Sequence, residues 1–394
     1  MTPVELSRTV LRAVRRAVDA GELSVTVPER VVVTPPGPGG RGDYATNIAL
    51  QLARPAERTP RYVAEVLRGH LLGADGVDDV AITGPGFLNI SLLRVASAAL
   101  VEEILSKGHA YGHTGAPSGP ARRIQEPQKA PVLHRAQMAQ KVQESVLRLR
   151  AADEVRAVVV ADAVARLLRS QGTLVRVTCE GRPQPGWQSV LGVRVDADAR
   201  GDAFVSRGPD SPAPVEVEVR PVPAPADPLP LGRDAGRWAL LHPAAHDRPR
   251  IGDEHLVQRE GNPLFRVRYA HARIRALSRN AADLGFHAEP GDVHPGHPRH
   301  PGPTTETAPA PLLTPLADHP RILAAAAAHR APDRLARHLV TVADAVLPFL
   351  VTVLPRGEEK PSAAHRARLA LAEVAGTVLA GGLALLGIDA PDHL

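Results

Sequence analysis

Two proline-rich interruptions set the limits on what this chain can fold into. Residues 116–122 carry Pro117, Gly119 and Pro120, and the stretch from Pro290 to Pro315 is rich in proline and histidine with little hydrophobic content. Such composition cannot build a packed core and reads as linker. The 394 residues are enough for more than one domain with its own core. The interruptions predict an α+β, multi-domain chain: a first domain over 1–115, a middle region over 123–263, and a helical region over 264–394 that contains the second linker.

Local signals fill in the first domain. Thr2-Pro3-Val4-Glu5 is a capping box with proline at the first helical position, and Leu6, Val10, Val14 and Val18 repeat as one apolar stripe up to Gly21. Val25–Thr34 reads as a strand, Pro35–Gly42 as a loop and Ala45–Ala53 as a helix. Thr59-Pro60 caps a further helix to Leu72, and Val80–Thr83 and Phe87–Leu92 read as strands about Gly84-Pro85-Gly86. In the middle, Val155–Leu168 is apolar and helical in its second half, and Leu174–Thr178 and Val215–Val219 are strand candidates. Beyond it, Leu264–Leu284 and Pro320–Ala328 predict helices. Pro332 opens another with Leu335, Leu339, Val342, Val346 and Leu350 on one face, bent near Pro348, and Ser362 and Gly387 start and stop the last. Amphipathic helices in succession suit an antiparallel bundle.

Composition narrows the function classes. Aromatic residues make up 3% of the chain, so its cores rest on Leu, Val and Ala; the formal charge of +5 leans towards polyanions. Cys179 is the single cysteine, which excludes an internal disulfide or a cysteine zinc site and leaves a small buried residue. No secretory signal opens the sequence, and the apolar run Val374–Ile388 is short and glycine-rich for a membrane span. A cytoplasmic protein without a membrane partner is expected. His294, His297 and His300 share one side of an extended segment but lack a fourth ligand, so no metal is expected.

Specific motifs then suggest a family. Gly42-Asp43-Tyr44-Ala45-Thr46-Asn47-Ile48-Ala49-Leu50-Gln51-Leu52-Ala53, with Gly84-Pro85-Gly86-Phe87-Leu88-Asn89-Ile90 downstream, resembles the amino-terminal domain of arginine–tRNA ligase (arginyl-tRNA synthetase). Glu260–Ile274, with its Tyr269-Ala270-His271-Ala272-Arg273 run, resembles that family's junction between core and bundle, and Gly232-Arg233-Asp234-Ala235-Gly236-Arg237-Trp238 resembles its strand-proximal element just before it. Pro332-Asp333-Arg334-Leu335-Ala336 and the closing Leu385-Leu386-Gly387-Ile388-Asp389-Ala390-Pro391 are similar to its anticodon-binding domain. The resemblance implies a Rossmann-like α/β middle between two RNA-binding ends.

In the middle the resemblance breaks. The family carries His-x-Gly-His after the first strand of its nucleotide-binding fold, where the imidazoles stabilise charge in the transition state. The corresponding region, Glu126–Gln137, keeps Lys129 and His134 as remnant candidates but no Gly-His follows. The family core strands beyond Arg182 are mostly missing. The resemblance therefore implies a paralogue with a reduced, degenerate core that binds tRNA, arginine tRNA by family, without aminoacylating it. Two alternatives stand beside it: an active ligase using ATP and L-arginine, and a protein-interaction scaffold.

The candidate RNA-binding residues follow from that resemblance. Phe87 and Asn89 match a loop that stacks on and hydrogen-bonds a base, with Tyr44, Asn47 and Gln51 lining the same surface; the alternative makes Tyr44 and Phe87 core residues and Asn89 a strand end. Arg268, Arg275 and Arg279 recur at helical spacing in a stretch without acids from Gly261 to Ala282, either as phosphate ligands or as a solvated face. Arg334 and Arg337 are candidate phosphate contacts on the bundle.

Overall fold

The computed structural model describes residues 3–34, 36, 42–92, 94–114, 146–198, 215–293 and 310–394. Lys129, His134, His294, His297 and His300 lie outside them, as does most of each proline-rich interruption. The described residues form two compact units, each drawn from separated stretches of chain. One combines 1–107, 273–318 and 345–377; the other combines 108–272, 319–344 and 378–394.

Residues 1–107 hold helix α1 (Pro3–Asp19), strand β1 (Tyr44–Thr46), α2 (Ile48–Ala53), α3 (Pro60–Leu72), β2 (Val77–Thr83), β3 (Phe87–Leu92) and α4 (Arg94–Lys107). The sheet order is β1-β3-β2, antiparallel throughout, with Tyr44 opposite Ile90 and Ala45 opposite Asn89. Leu6, Val10 and Val14 of α1, Val63 and Leu67 of α3, and Val80, Leu88 and Ile90 of the sheet make one core. Thr59 accepts from the Tyr62 amide and sets the start of α3. Gly86, at φ 146°, lets the β2–β3 turn lie against Pro60; a Cβ there would fall 2.9 Å from the Pro60 carbonyl oxygen.

Two expectations change here. Val25–Thr34 forms no strand beyond a single bridge from Thr34 to Ala45, although Val25, Val27, Val31 and Val33 pack on the core. Ala45–Ala53 divides at Asn47 into β1 and α2, because the first residues pair with β3.

The middle region is a parallel four-stranded sheet of order β6-β5-β4-β7, built from β4 (Leu147–Ala151), β5 (Val175–Cys179), β6 (Ala197–Asp198) and β7 (Glu216–Val219). Helix α5 (Val155–Ser170) crosses from β4 to β5 and is buried over nearly its whole length, so it reads as continuously apolar without helical periodicity. The short α6 (Pro185–Ser189) and α7 (Gly232–Leu241) complete this layer. Cys179 is buried at the end of β5, and burial pushes its thiol pKa up, as suits an inert packed residue.

The remaining helices are α8 (Pro263–Asp283), α9 (Ala310–Ala328), α10 (Pro332–Phe349) and α11 (Ala363–Leu386). Helix α9 starts inside the expected linker, five residues before Pro315. Ser362 caps α11 through the His365 amide and Gly387, at φ 74°, ends it. By length and composition, Pro332–Thr352 and Ala363–Leu386 match membrane-crossing helices, yet 78% of the apolar stretch of the second is buried inside the protein. Its side chains serve a core.

Candidate nucleic-acid interface

The surface of the first domain centres on Phe87. Its ring is 40% exposed at the end of β3, next to the turn held by Pro60. Asn47 and Gln51 are exposed, and the Gln51 amide donates to Asn47 Oδ1 at 3.0 Å, so both keep amide edges towards solvent. Continuing the β1–β3 register past Thr46–Leu88 sets Asn47 opposite Phe87. Tyr44 and Asn89 are different. Tyr44 is 2% exposed and belongs to the core; Asn89 is 2% exposed and donates to Thr83 Oγ1 at 2.7 Å. Both hold the sheet together. Tyr62 is a residue that sequence reasoning missed. It is 43% exposed in the first turn of α3, with the Arg58 guanidinium 5.5 Å above its ring. Its place, three residues after a helix cap, was the available signal.

The basic helix α8 divides in the same way. Arg268 is partly buried and pairs with Asp234 of α7 at 3.4 Å, an acid remote in sequence. Arg266 pairs with Asp344 at 2.9 Å. Arg273, Arg275 and Arg279 are exposed. On α10, Arg334 is exposed, whereas Arg337 forms an ion pair with Asp333 one turn earlier.

The middle sheet has the geometry of a nucleotide fold. Its order reverses direction at β4, and the carboxyl ends of β4 and β7 are where sheets of this kind bind ligands. There β4 passes to α5 through only Ala152, Asp153 and Glu154. The Glu154 carboxylate is already engaged: Oε2 accepts from the Ala157 amide at 2.9 Å and Oε1 from the Ala224 amide at 3.0 Å. Just inside the helix, the buried Arg156 guanidinium donates to the carbonyls of Leu240, Val222, Asp247, Pro243 and Ala244. Burial lowers its pKa, and the nearby Glu154 and Asp247 raise it in part.

A second buried arginine links three segments of this unit. Arg237 of α7 donates to Asp162 Oδ2 at 2.6 Å, to the Leu191 carbonyl at 3.0 Å and to the Leu386 carbonyl at 2.7 Å. Gly387 leaves room for that guanidinium; a Cβ there would fall about 2.5 Å from it. His319 is fully enclosed, stacked between Tyr111 and His338 at centroid distances of 5.9 and 5.3 Å, and burial holds its pKa well below the usual value. Among the described residues no cluster of histidine, cysteine and carboxylate side chains could hold a metal.

Known proteins match this arrangement at both ends. The arginyl tRNA synthetase N terminal domain matches residues 5–92, and the DALR anticodon binding domain matches residues 267–394. The arginine–tRNA ligase of Frankia alni is 28% identical, and the alignment covers all of both proteins; it runs over 561 positions, 167 more than the 394 residues here. The arginine–tRNA ligase of Renibacterium salmoninarum is 41% identical over 180 residues, covering 44% of this chain and 30% of that protein. The Thermus thermophilus arginyl-tRNA synthetase structure superposes over all of both chains with a TM-score of 0.60 at 15% identity, a likeness of fold. Both terminal domains thus match those of arginyl-tRNA synthetases, and the relative aligned from end to end is named arginine–tRNA ligase.

Proposed function

We propose that this protein binds tRNA, arginine tRNA by family, through its first domain and its basic helices, and that it does not aminoacylate. The observation that carries this reading is the turn from β4 to α5. The family's imidazole signature belongs after the first strand of the nucleotide fold. Here β4, the first strand of that sheet among the described residues, is followed by Ala152-Asp153-Glu154. Two acids stand where cationic or hydrogen-bond-donating groups would meet a triphosphate, and Glu154 itself takes up the Ala157 amide at the start of α5. Each lost donor to a developing charge typically costs about 2.7–4 kcal/mol of barrier. The alignment with the Frankia alni relative is 167 positions longer than this chain, which fits the same reading.

A second reading has its own support. The relatives aligned over the whole chain are named arginine–tRNA ligase, and the comparisons favour an active enzyme over a binding protein. ATP and L-arginine would then be its substrates. Arginine-dependent ATP–pyrophosphate exchange separates the two readings. Purified protein is expected to bind arginine tRNA in a filter assay and to show background exchange. Arginine-dependent exchange that co-purifies with the protein to homogeneity and is absent from a mock preparation would establish the enzyme and remove the binding-only reading.

A further inference from the structure

The outer face of α1 carries a charge pattern that its packing does not call for. Leu6, Val10, Ala13, Val14 and Ala17 of this helix are fully buried and fix it to the core of the first domain. Its other side exposes Arg8, Arg12, Arg15 and Arg16, and no acid occurs from Leu6 to Val18. At 3.6 residues per turn, Arg8, Arg12 and Arg15 fall within about 60° of arc along roughly 10 Å of axis. They form one ridge on a rigid support.

A helix that only faces water gains from mixing signs at i, i+3 and i, i+4. Here Arg8 and Arg12, Arg12 and Arg15, and Arg12 and Arg16 stand at those spacings, so each pair repels. Glu5 and Asp19 lie at the two ends of α1. Among the described residues none of the four arginines forms an ion pair. Arg12 donates to the Thr9 hydroxyl at 2.9 Å, which leaves its charge unbalanced. Other helices of the domain are balanced, Arg61 with Glu65 in α3 and Lys107 with Glu103 in α4. Acids gather instead around the start of β2, where Asp75, Asp78 and Asp79 are all exposed. Segregated signs of this kind turn one face of a domain towards a polyanion.

The chemistry of the ridge narrows the polyanion. No aromatic ring lies on α1, so it offers a base nothing to stack on. Its cations recur every three or four residues, and an RNA backbone repeats its charge at every nucleotide. We infer that the exposed face of α1 is a phosphate-binding ridge for the backbone of a bound RNA, a site separate from the Phe87 surface. The inference rests on the tRNA-binding reading. Phosphates carry no base identity, so the ridge contributes affinity without selecting sequence.

The test uses full-length protein and arginine tRNA transcript in a filter assay over a salt series. Arg8→Gln/Arg12→Gln/Arg15→Gln is expected to flatten the fall of log affinity with log salt by roughly 0.7–0.9 for each lost phosphate contact. Between about 50 and 200 mM salt the variant should therefore lose roughly 20- to 40-fold less affinity than the wild type loses. The matching triple lysine variant keeps the charges and is expected to keep the wild-type slope. The glutamine variant should melt no earlier than the wild type at low salt, because three repulsions are relieved. If it does melt early, Arg15→Gln/Arg16→Gln, which leaves the Thr9 bond in place, stands in with a proportionately smaller change of slope. A wild-type slope in a folded variant overturns the ridge while leaving tRNA binding intact, whether or not affinity changes. A wild type that binds no tRNA defeats the broader reading and the ridge with it.

Discussion

Replacing Asp162 with alanine is expected to destabilise the middle region by about 3–5 kcal/mol, the usual cost of leaving a buried charge unpaired. The Arg237 guanidinium is fully buried, and Asp162 is its anionic partner at 2.6 Å. The Leu191 and Leu386 carbonyls would remain at 3.0 and 2.7 Å, but neutral acceptors do not balance a cation. Arg166, at 3.1 Å from the same carboxylate, would lose its partner too. The reverse change is milder. In Arg237→Met, Asp162 keeps Arg166 and the Arg194 amide, so about 1–3 kcal/mol is expected for the groups left unsatisfied. Asp162→Leu/Arg237→Met removes both charges and should be more stable than Asp162→Ala alone. Urea unfolding followed by tryptophan fluorescence measures this directly, because Trp187 and Trp238, the only two tryptophans, are both buried in this region. An Asp162→Ala variant within about 1 kcal/mol of the wild type would show that the pair does not carry the assigned charge balance.

Three further outcomes follow from the geometry. Phe87→Ala is expected to weaken tRNA binding by about 1–3 kcal/mol with an unchanged melting temperature, whereas Asn89→Ala should lower the melting temperature by removing a buried donor; the opposite pattern would place the RNA contact elsewhere. Arg275→Glu/Arg279→Glu should flatten the salt dependence of tRNA binding by roughly 0.7–0.9 for each lost phosphate contact, with Arg268→Ala costing stability instead because of its bond to Asp234; an unchanged slope makes the face merely solvated. His319 is depressed in the folded state by burial, then by His338 and His113, so the unfolded chain takes up its proton first. Stability should therefore fall as pH drops below 6.5, the value of the unfolded group, and His319→Leu should reduce that slope in pH-dependent melting.

Signals confined to a few residues were legible in the sequence. Thr59-Pro60, Ser362 and Gly387 bound their helices as their chemistry requires, and the Gly84–Gly86 turn joins the strands expected on either side. What depended on partners was hidden. Val25–Thr34 alternates because its valines pack on a helical core, and alternation reports burial without reporting a ladder. Tyr44 and Asn89 lie in the motifs that suggested RNA, but which face a strand residue takes is set by register with β1 and β2. Strand β4, which alternates Leu and Arg, lies outside the strands expected from the sequence. Asp234 comes near Arg268 only through the packing of α7 on α8.

The way each unit is drawn from separated stretches bears on how the protein can be made. Arg237 is synthesised 149 residues before Leu386, the carbonyl it donates to, and Arg166 meets Ala384 across 218 residues. A growing chain thus holds an unfinished pocket around a bare guanidinium through much of translation. Closing it requires residues 378–394. The first domain has its whole core within residues 6–90 and can pack as it emerges, whereas the second unit waits for its last segment. During that interval α5, buried over nearly its whole length in the finished fold, is the segment most in need of shelter from aggregation.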